Sequence, residues 1–188
     1  MFKLSNLLIH RNVAKACFPN AVIVADRYHV IRQVVWAMEN VRKAEQKNLS
    51  KKFRKYFKRS KWLLNKPIEK LTDDESGKLA LMFEISPRLA QAYKLKNYFL
   101  LVMRSDPRDA PKLLGEWLLL AESYQFDEFK NCITAYHNWS SEILNSIRFT
   151  WSNGFTEGCN NKIKVLKRIC FGVRNFSRFR NRILHCST

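Results

Sequence analysis

Trp151-Ser152-Asn153-Gly154-Phe155-Thr156-Glu157-Gly158-Cys159-Asn160-Asn161-Lys162-Ile163-Lys164-Val165-Leu166-Lys167-Arg168 is the stretch on which the reading of this chain turns. It starts with turn formers and runs into a basic helix. Asn153-Gly154 is a turn signal, and Ser152 or Asn153 can cap a helix start. From Phe155 to Cys170 the pattern is helical. Ile163, Leu166 and Cys170 fall at i, i+3, i+7 on one face. Glu157, Asn161, Lys164 and Arg168 fall at i, i+4, i+7, i+11 on another. One face can pack while the other presents a carboxylate, an amide and two cations. Gly172 is placed to end the helix as a C′ glycine. Asn175 and Ser177 can start a second short helix over 176–184, with Phe179 and Ile183 apolar at i, i+4.

Glu157 is the one acidic residue from Trp151 to the C-terminus, among eight bases: Lys162, Lys164, Lys167, Arg168, Arg174, Arg178, Arg180 and Arg182. Two readings follow. An acid in a first helical turn is favoured by the helix dipole and can pair with Asn161 or Lys164 at the surface. Alternatively, a lone carboxylate in a cationic field is a metal ligand at a polyanion site. From spacing alone the ordinary reading is the simpler one.

Working outward, the 188 residues carry a net charge of +18, unevenly spread. Residues 1–40 hold +3, residues 41–61 hold +9, residues 62–150 hold −1 and residues 151–188 hold +7. A neutral middle between two strongly basic stretches is the footprint of a polyanion binder, nucleic acid first. An anionic membrane fits less well, because no basic amphipathic helix with a clean apolar face stands alone. With 46% hydrophobic and 13% aromatic residues the chain is globular, and only 5 Gly and 5 Pro favour long helices over a turn-rich β fold.

The five cysteines (Cys17, Cys132, Cys159, Cys170, Cys186) form no CxxC. With no secretory signal visible in residues 1–21, the expectation is a reducing, cytoplasmic setting with free thiols. No apolar run approaches membrane length. The pairs Cys132 with His137, and His185 with Cys186, lack the second half that zinc needs, so no zinc is expected. No Gly-rich phosphate loop and no Ser/His/Asp arrangement is present.

In chain order, Asn6 to Cys17 reads as a short helix broken by Phe18-Pro19-Asn20. Ala21-Val22-Ile23-Val24-Ala25 is a continuous, β-branched apolar run that suits a strand buried on both faces, and Asp26 follows it directly. A carboxylate at the C-terminal end of such a strand is where open α/β sheets place their chemistry. The plainer alternative is that Asp26 caps the next helix, on the amides near Tyr28 and His29.

That helix runs from Arg27 to about Phe57, with a break expected near Asn48-Leu49-Ser50. Its apolar stripe is Val30, Ile31, Val34, Val35, Met38 and Val41. Beyond it Lys51, Lys52, Arg54, Lys55, Lys58, Arg59 and Lys61 interleave with Phe53, Tyr56, Phe57 and Trp62. This pattern is either phosphate contact with ring stacking or a solvated face with its aromatics turned to the core. Residues 62–150 read as a helical block. Helices are expected from Thr72-Asp73-Asp74-Glu75 to about Phe83, from Ser86-Pro87 to about Met103, over 112–124 and over 127–147. Trp117 and Trp139 belong to its core.

Two stretches then carry a resemblance. The first is Phe18-Pro19-Asn20-Ala21-Val22-Ile23-Val24-Ala25-Asp26-Arg27-Tyr28-His29-Val30. The second is Asn153 to Lys164, continuing through Arg168, Gly172, Arg174-Asn175-Phe176, Phe179 and Arg182-Ile183-Leu184. With the middle segment Leu89-Ala90-Gln91-Ala92-Tyr93-Lys94-Leu95-Lys96, they resemble bacterial insertion-sequence transposases of the ISL-three type, over nearly the whole chain. The resemblance implies a DDE transposase with an RNase H-like fold, in which three carboxylates hold two divalent metals, Mg²⁺ or Mn²⁺. Asp26 matches the second Asp and Glu157 the Glu, 131 positions later and across a helical insertion.

The implied fold is mainly α, with a remnant of an α/β RNase H-like core. It divides into 1–61 (partial core with a long basic helix), 62–150 (helical insertion) and 151–188 (catalytic-helix segment). The implied chemistry is metal-assisted strand cleavage and transfer. Asn161, Lys162, Lys164, Lys167, Arg168 and Arg174, with Lys51, Lys52, Arg54, Lys55, Lys58 and Arg59, would contact DNA, both transposon ends and target. A nucleoid-associated cytoplasmic setting follows, no membrane partner is expected, and a homo-oligomer is compatible.

One departure stands out. No acidic residue precedes Asp26, so the family's first Asp is missing. The expectation is a truncated transposase fragment, inactive alone and holding metal weakly. The alternative is a basic helical protein that binds DNA without cutting it, as a remnant or a regulator.

Overall fold

The computed structural model describes residues 11–13, 15–59, 61–149, 151 and 154–186. The chain divides into two compact units, Met1–Thr150 and Trp151–Thr188. In the first unit the helices are α1 (Arg27–Lys47), α2 (Lys51–Arg59), α3 (Asp73–Ile85), α4 (Pro87–Val102), α5 (Ala110–Ser123), α6 (Asp127–Asn138) and α7 (Ser140–Arg148). Short 3₁₀ turns at Lys61–Asn65 and Ile68–Lys70 lead into α3. The second unit holds α8 (Gly154–Ile169) and α9 (Phe176–His185). Mainly α is therefore the observed class, and no strand occurs among the described residues.

The helix boundaries follow from local chemistry. Asn48 to Ser50 separate α1 from α2, as the sequence leads one to expect. Thr72 and Glu75 form a reciprocal capping box: Thr72 Oγ1 accepts from the Glu75 amide at 3.3 Å, and Glu75 Oε2 accepts from the Thr72 amide at 2.9 Å. Ser86 caps α4 through the Leu89 amide, with Pro87 at its first position. The helix expected over Asn6–Cys17 falls partly outside the described residues, and residues 11–13 and 15–17 are helical. The proposed caps Ser152 and Asn153 also lie outside them.

Two expectations need correction. Ala21–Ala25 is a segment without regular secondary structure and with no ladder partner among the described residues. Helix α7 satisfies part of its backbone instead. The Ala25 amide donates to the Glu142 carbonyl at 2.9 Å, and Asn145 Nδ2 donates to the Ile23 carbonyl at 2.9 Å. Val22 is accordingly exposed and Ile23 to Ala25 half-buried, not closed on both faces. The single helix expected over 127–147 is two helices, broken at Trp139. Arg11 holds the break. Its Nη1 donates to the Asn138 carbonyl at 2.9 Å, its guanidinium lies 5.1 Å from the Trp139 ring, and its Nε is 2.7 Å from Glu142.

The core of the first unit is organised around α1, which packs on α4 and α6. Val30, Val34, Ala37, Met38 and Val41 are its buried stripe. Phe99, Trp117 and Tyr136 meet at ring-centroid distances of 4.9, 5.0 and 5.5 Å. Trp117 Nε1 donates to the Leu95 carbonyl at 2.8 Å, so the indole is buried with its polar atom satisfied. Lys96 is also buried. Its Nζ donates to the Leu64 carbonyl at 2.9 Å and lies 4.6 Å from the Tyr93 ring. Burial, seconded by the Arg104 charge and opposed by Glu69, lowers its pKa to about 8.

The second unit is different in kind. No described residue of α8 or α9 is buried. Ile163, Leu166 and Cys170, the expected packing face, are half-buried, as are Phe179 and Ile183. Helix α8 ends where positive φ is reached, at Phe171 (φ 29) and Gly172 (φ 80). The side chain of Asn175 then caps α9 through the Arg178 amide at 3.1 Å.

Candidate functional site

Asp26 sits where the Ala21–Ala25 segment enters α1, and it is the helix cap. Its Oδ1 accepts from the Tyr28 amide at 2.8 Å and the His29 amide at 3.3 Å. Its Oδ2 faces His29 Nδ1 at 3.3 Å, and the side chain is 32% exposed. The Arg27 guanidinium donates to the Met103 carbonyl, which fastens the start of α1 to the end of α4. One carboxylate oxygen is thus fixed by backbone amides, and the other stays within reach of solvent. Capping and metal ligation remain compatible, since the amides use Oδ1, and Oδ2 keeps a lone pair beyond its contact with His29.

Glu157 stands in the first turn of α8 and is exposed. It lines a shallow groove with Asn160, Asn161 and Lys164. The helical register brings these together as the spacing predicts, with Asn160 added at i+3. Among the described residues the Glu157 carboxylate makes no hydrogen bond or ion pair, with Asn161 and Lys164 included. The pairing offered by the ordinary reading is not made. Lys162, Lys167, Arg168 and Arg174 are exposed in the same unit.

Both carboxylates are hard oxygen donors of the kind that Mg²⁺ and Mn²⁺ accept, and both are open enough to keep metal-bound water. The donor set on this chain is short, because among the described residues no three His, Cys, Asp or Glu side chains converge.

In the basic helix α2 the bases and the rings separate by exposure. Lys51, Lys52, Arg54, Lys55, Lys58 and Arg59 are all exposed. Phe57 is fully buried and the Tyr56 hydroxyl donates to the Lys78 carbonyl at 2.7 Å, so these two rings serve packing. Phe53 and Trp62 are exposed. Arg54 is partly engaged, with Nη2 donating to the Lys47 carbonyl at 2.8 Å at the end of α1.

Sequence reasoning missed a second feature of α1. Tyr28, Arg32 and Trp36 recur at i, i+4, i+8 and form a ladder on the exposed side. The Arg32 guanidinium lies 4.1 Å from the Trp36 ring and 5.7 Å from the Tyr28 ring. Trp36 also lines a groove with Val35, Glu39, Asn40, Lys43, Lys61 and Asn65. The signal was legible, since this aromatic–cation–aromatic repeat falls opposite the Val30–Val34–Val41 stripe.

The chain matches the family model described as Transposase, of the DDE ISL3 type, over residues 9–183. Among curated proteins it is 29% identical over 119 residues to the "Transposase for insertion sequence element IS1557" of Mycobacterium tuberculosis, covering 63% of this chain and 27% of that protein. It is 26% identical over 166 residues to the "Transposase for insertion sequence element IS1001" of Bordetella parapertussis, covering 86% and 41%. It is also 34% identical over 100 residues to a protein of Lactococcus lactis subsp. lactis named "ATP-dependent protease", covering 53% and 31%. The chain spans 27 to 41% of the length of these relatives. No solved structure matches it. Among the described residues no helix is long and apolar enough to cross a membrane.

Proposed function

The chain belongs to the ISL3-type family of insertion-sequence transposases, and from that premise we propose that it binds DNA and carries two of three carboxylates of a DDE-type, metal-dependent strand-transfer centre, Asp26 and Glu157. The observation that carries this reading is the Glu157 carboxylate, exposed in a groove beside Asn161 and Lys164 and without an ion pair among the described residues. An ordinary surface acid in so cationic a segment would be expected to take a partner. Asp26 has the complementary property of a fixed position, because two helix amides hold one of its oxygens. In the full assembly these ligands belong to an RNase H-like core.

Asp26 and Glu157 would each offer carboxylate oxygens to Mg²⁺ or Mn²⁺, which would supply activation of a hydroxyl nucleophile and neutralisation of charge on the phosphate. The residues of this chain do the rest. Asp26 orients Oδ2, beside His29, from a capped helix start. Glu157 offers both oxygens from the first turn of α8. Asn161 donates to phosphate oxygens, and Lys164 and Arg168 anchor the flanking phosphates. The exposed bases of α2, Lys51 to Arg59, hold DNA farther along by charge alone.

Two carboxylates alone hold a divalent metal weakly, so the reading for these 188 residues is DNA binding ahead of cutting. Binding to the nucleoid follows from the same charge. The test pairs a mobility shift over a salt series with a nicking assay in Mg²⁺ or Mn²⁺, and with a Mn²⁺ titration read by water-proton relaxation. The expected result is a shift that weakens linearly with log salt, no nicking, and weak Mn²⁺ binding lost equally in Asp26→Asn and Glu157→Gln. Nicking that Asp26→Asn abolishes would show a complete site. Failure to bind at low salt would sink the DNA reading, and Mn²⁺ binding untouched by either substitution would sink the shared centre.

A further inference from the structure

Helix α1 carries more than the capping aspartate. Along its exposed side Tyr28, Arg32 and Trp36 form a ladder in which one guanidinium serves two rings. Tyr28 and Trp36 are large aromatics left in solvent, 65% and 46% exposed, although the same helix buries a full apolar stripe on its other side. Packing therefore does not account for them. Trp36 also walls the groove in which Asn40, Lys43 and Lys61 gather. Glu39, the acid in that groove, is already neutralised. Arg42 grips it through two hydrogen bonds of 2.8 and 2.9 Å, and Lys61 lies 3.2 Å away. The groove thus combines an aromatic wall, an amide able to donate and accept, and cations not outweighed by carboxylate. From Tyr28 to Lys43 the track is about 22 Å long at 1.5 Å per helical residue. It begins two residues from Asp26 and ends near the basic helix α2.

We propose that this track takes unpaired nucleobases of a DNA strand, with Trp36 as the stacking platform and Lys43 and Lys61 as phosphate contacts. The inference rests on the DNA reading and adds a substrate form to it: a strand opened beside the second carboxylate, not a closed duplex. Every base has a π-face, so stacking on indole tolerates sequence, while a base inside a duplex cannot reach it. Arg32 has a positioning role. Its charge against the indole fixes the ring plane and leaves the whole site cationic. Duplex DNA can still be held elsewhere by the phosphate contacts of α2.

The experiment uses the full 188-residue chain and fluorescence anisotropy of an end-labelled oligonucleotide at low salt. The oligonucleotide is presented single-stranded, as a blunt duplex, and as the same duplex with a short unpaired stretch. Trp36→Ala should weaken the single-stranded and partly unpaired probes about tenfold or more and leave the blunt duplex within twofold. Trp36→Phe should recover most of the loss, and Arg32→Gln should fall between. Trp36 is half exposed, so far-UV melting should show each variant folded. Equal loss on all three probes, or no loss on any, overturns the proposal. If Trp36→Ala changes the sedimenting mass and spares every probe, the ladder is a contact between copies, and the proposal fails. These failures differ from that of the DNA reading, in which no probe binds even the unmodified chain.

Discussion

In the first unit, Phe99, Trp117 and Tyr136 are closed off from solvent and meet ring to ring. In the second, Phe155 is 84% and Phe171 91% exposed, and no described residue is buried. Both units show helical apolar periodicity, and both carry one proposed metal ligand in a basic setting. The difference is in what each side chain is given to pack against. Helices α1 and α4 to α6 close over one another, so their stripes become a core. Helices α8 and α9 form a two-helix unit, too small to enclose a core of its own. Periodicity marks which face wants burial and does not supply the partner. Stability should accordingly be collective in the first unit and local in the second.

The largest expected effect separates the two directly. Trp117→Ala removes a fully buried indole and its hydrogen bond to Leu95. It should cost about 3–5 kcal/mol, and urea denaturation followed by far-UV circular dichroism should register it as loss of a single cooperative transition. Phe171→Ala should stay within about 0.5 kcal/mol, because its ring loses almost no contact. A comparable cost for the two would mean that the second unit has cover the apolar accounting omits.

A second effect tests the interior of the first unit by charge. Folding lowers the Lys96 pKa from 10.5 to about 8. Between these values the unfolded chain holds a proton that the folded chain has released, so stability from this group rises with pH across the window. The gain is bounded at about 3 kcal/mol. Cys132 works the other way. Burial pushes its thiol from 9.0 up to about 12, so above pH 9 the unfolded chain loses a proton that the folded chain keeps. Comparison with Lys96→Met cancels the cysteine contribution. The native chain should gain on that variant from below pH 8 to pH 10.5 in urea melts at fixed ionic strength. A difference that stays flat would place the ammonium in water and remove its contact with the Leu64 carbonyl from the core.

A third effect, about 1 kcal/mol, separates the structural role of Asp26 from its proposed chemical one. Asp26→Ala removes the acceptor for the Tyr28 and His29 amides and should cost about 0.5–2 kcal/mol. Asp26→Asn keeps an amide oxygen suited to the cap and should melt close to the native chain, while Mn²⁺ binding falls. If Asp26→Asn destabilises as much as Asp26→Ala, the His29 contact at 3.3 Å matters more than the cap, and any metal result from that variant reports folding.

How much of this could be read from sequence depends on the range of the forces involved. The helix starts at Thr72 and Ser86-Pro87 and the Asn175 cap are settled within a few residues, and the sequence reading places all three, though not the reciprocal bonds of the Thr72 capping box. The groove at Glu157 is equally local, since helical register alone assembles it. What escaped depends on distant partners. Ala21–Ala25 has strand composition, but a ladder needs a second strand, and α7 meets the segment instead. The break at Trp139 depends on Arg11, 128 positions earlier in sequence.

The smallest effect uses the glycines, which carry no side chain to confuse packing with backbone. Gly158 in α8 and Gly115 in α5 are both helical, and a Cβ at either would meet nothing within 4 Å. Gly→Ala at either should therefore stabilise its own helix by about 0.5–1 kcal/mol through lost freedom in the unfolded chain. The extent of that gain should differ. In α5 it is shared with the whole core, so Gly115→Ala should raise the global midpoint in urea. In α8 it has no core to enter, so Gly158→Ala should slow amide hydrogen exchange only across 154–170. Gly172 gives the opposite sign on the same readout. Its surroundings are equally open, but its φ of +80° is strained for any L side chain, so Gly172→Ala should cost about 1 kcal/mol and speed exchange at the end of α8. A global response to Gly158→Ala would show α8 coupled to the packed helices, and the contrast between a collective and a local unit would have to be given up.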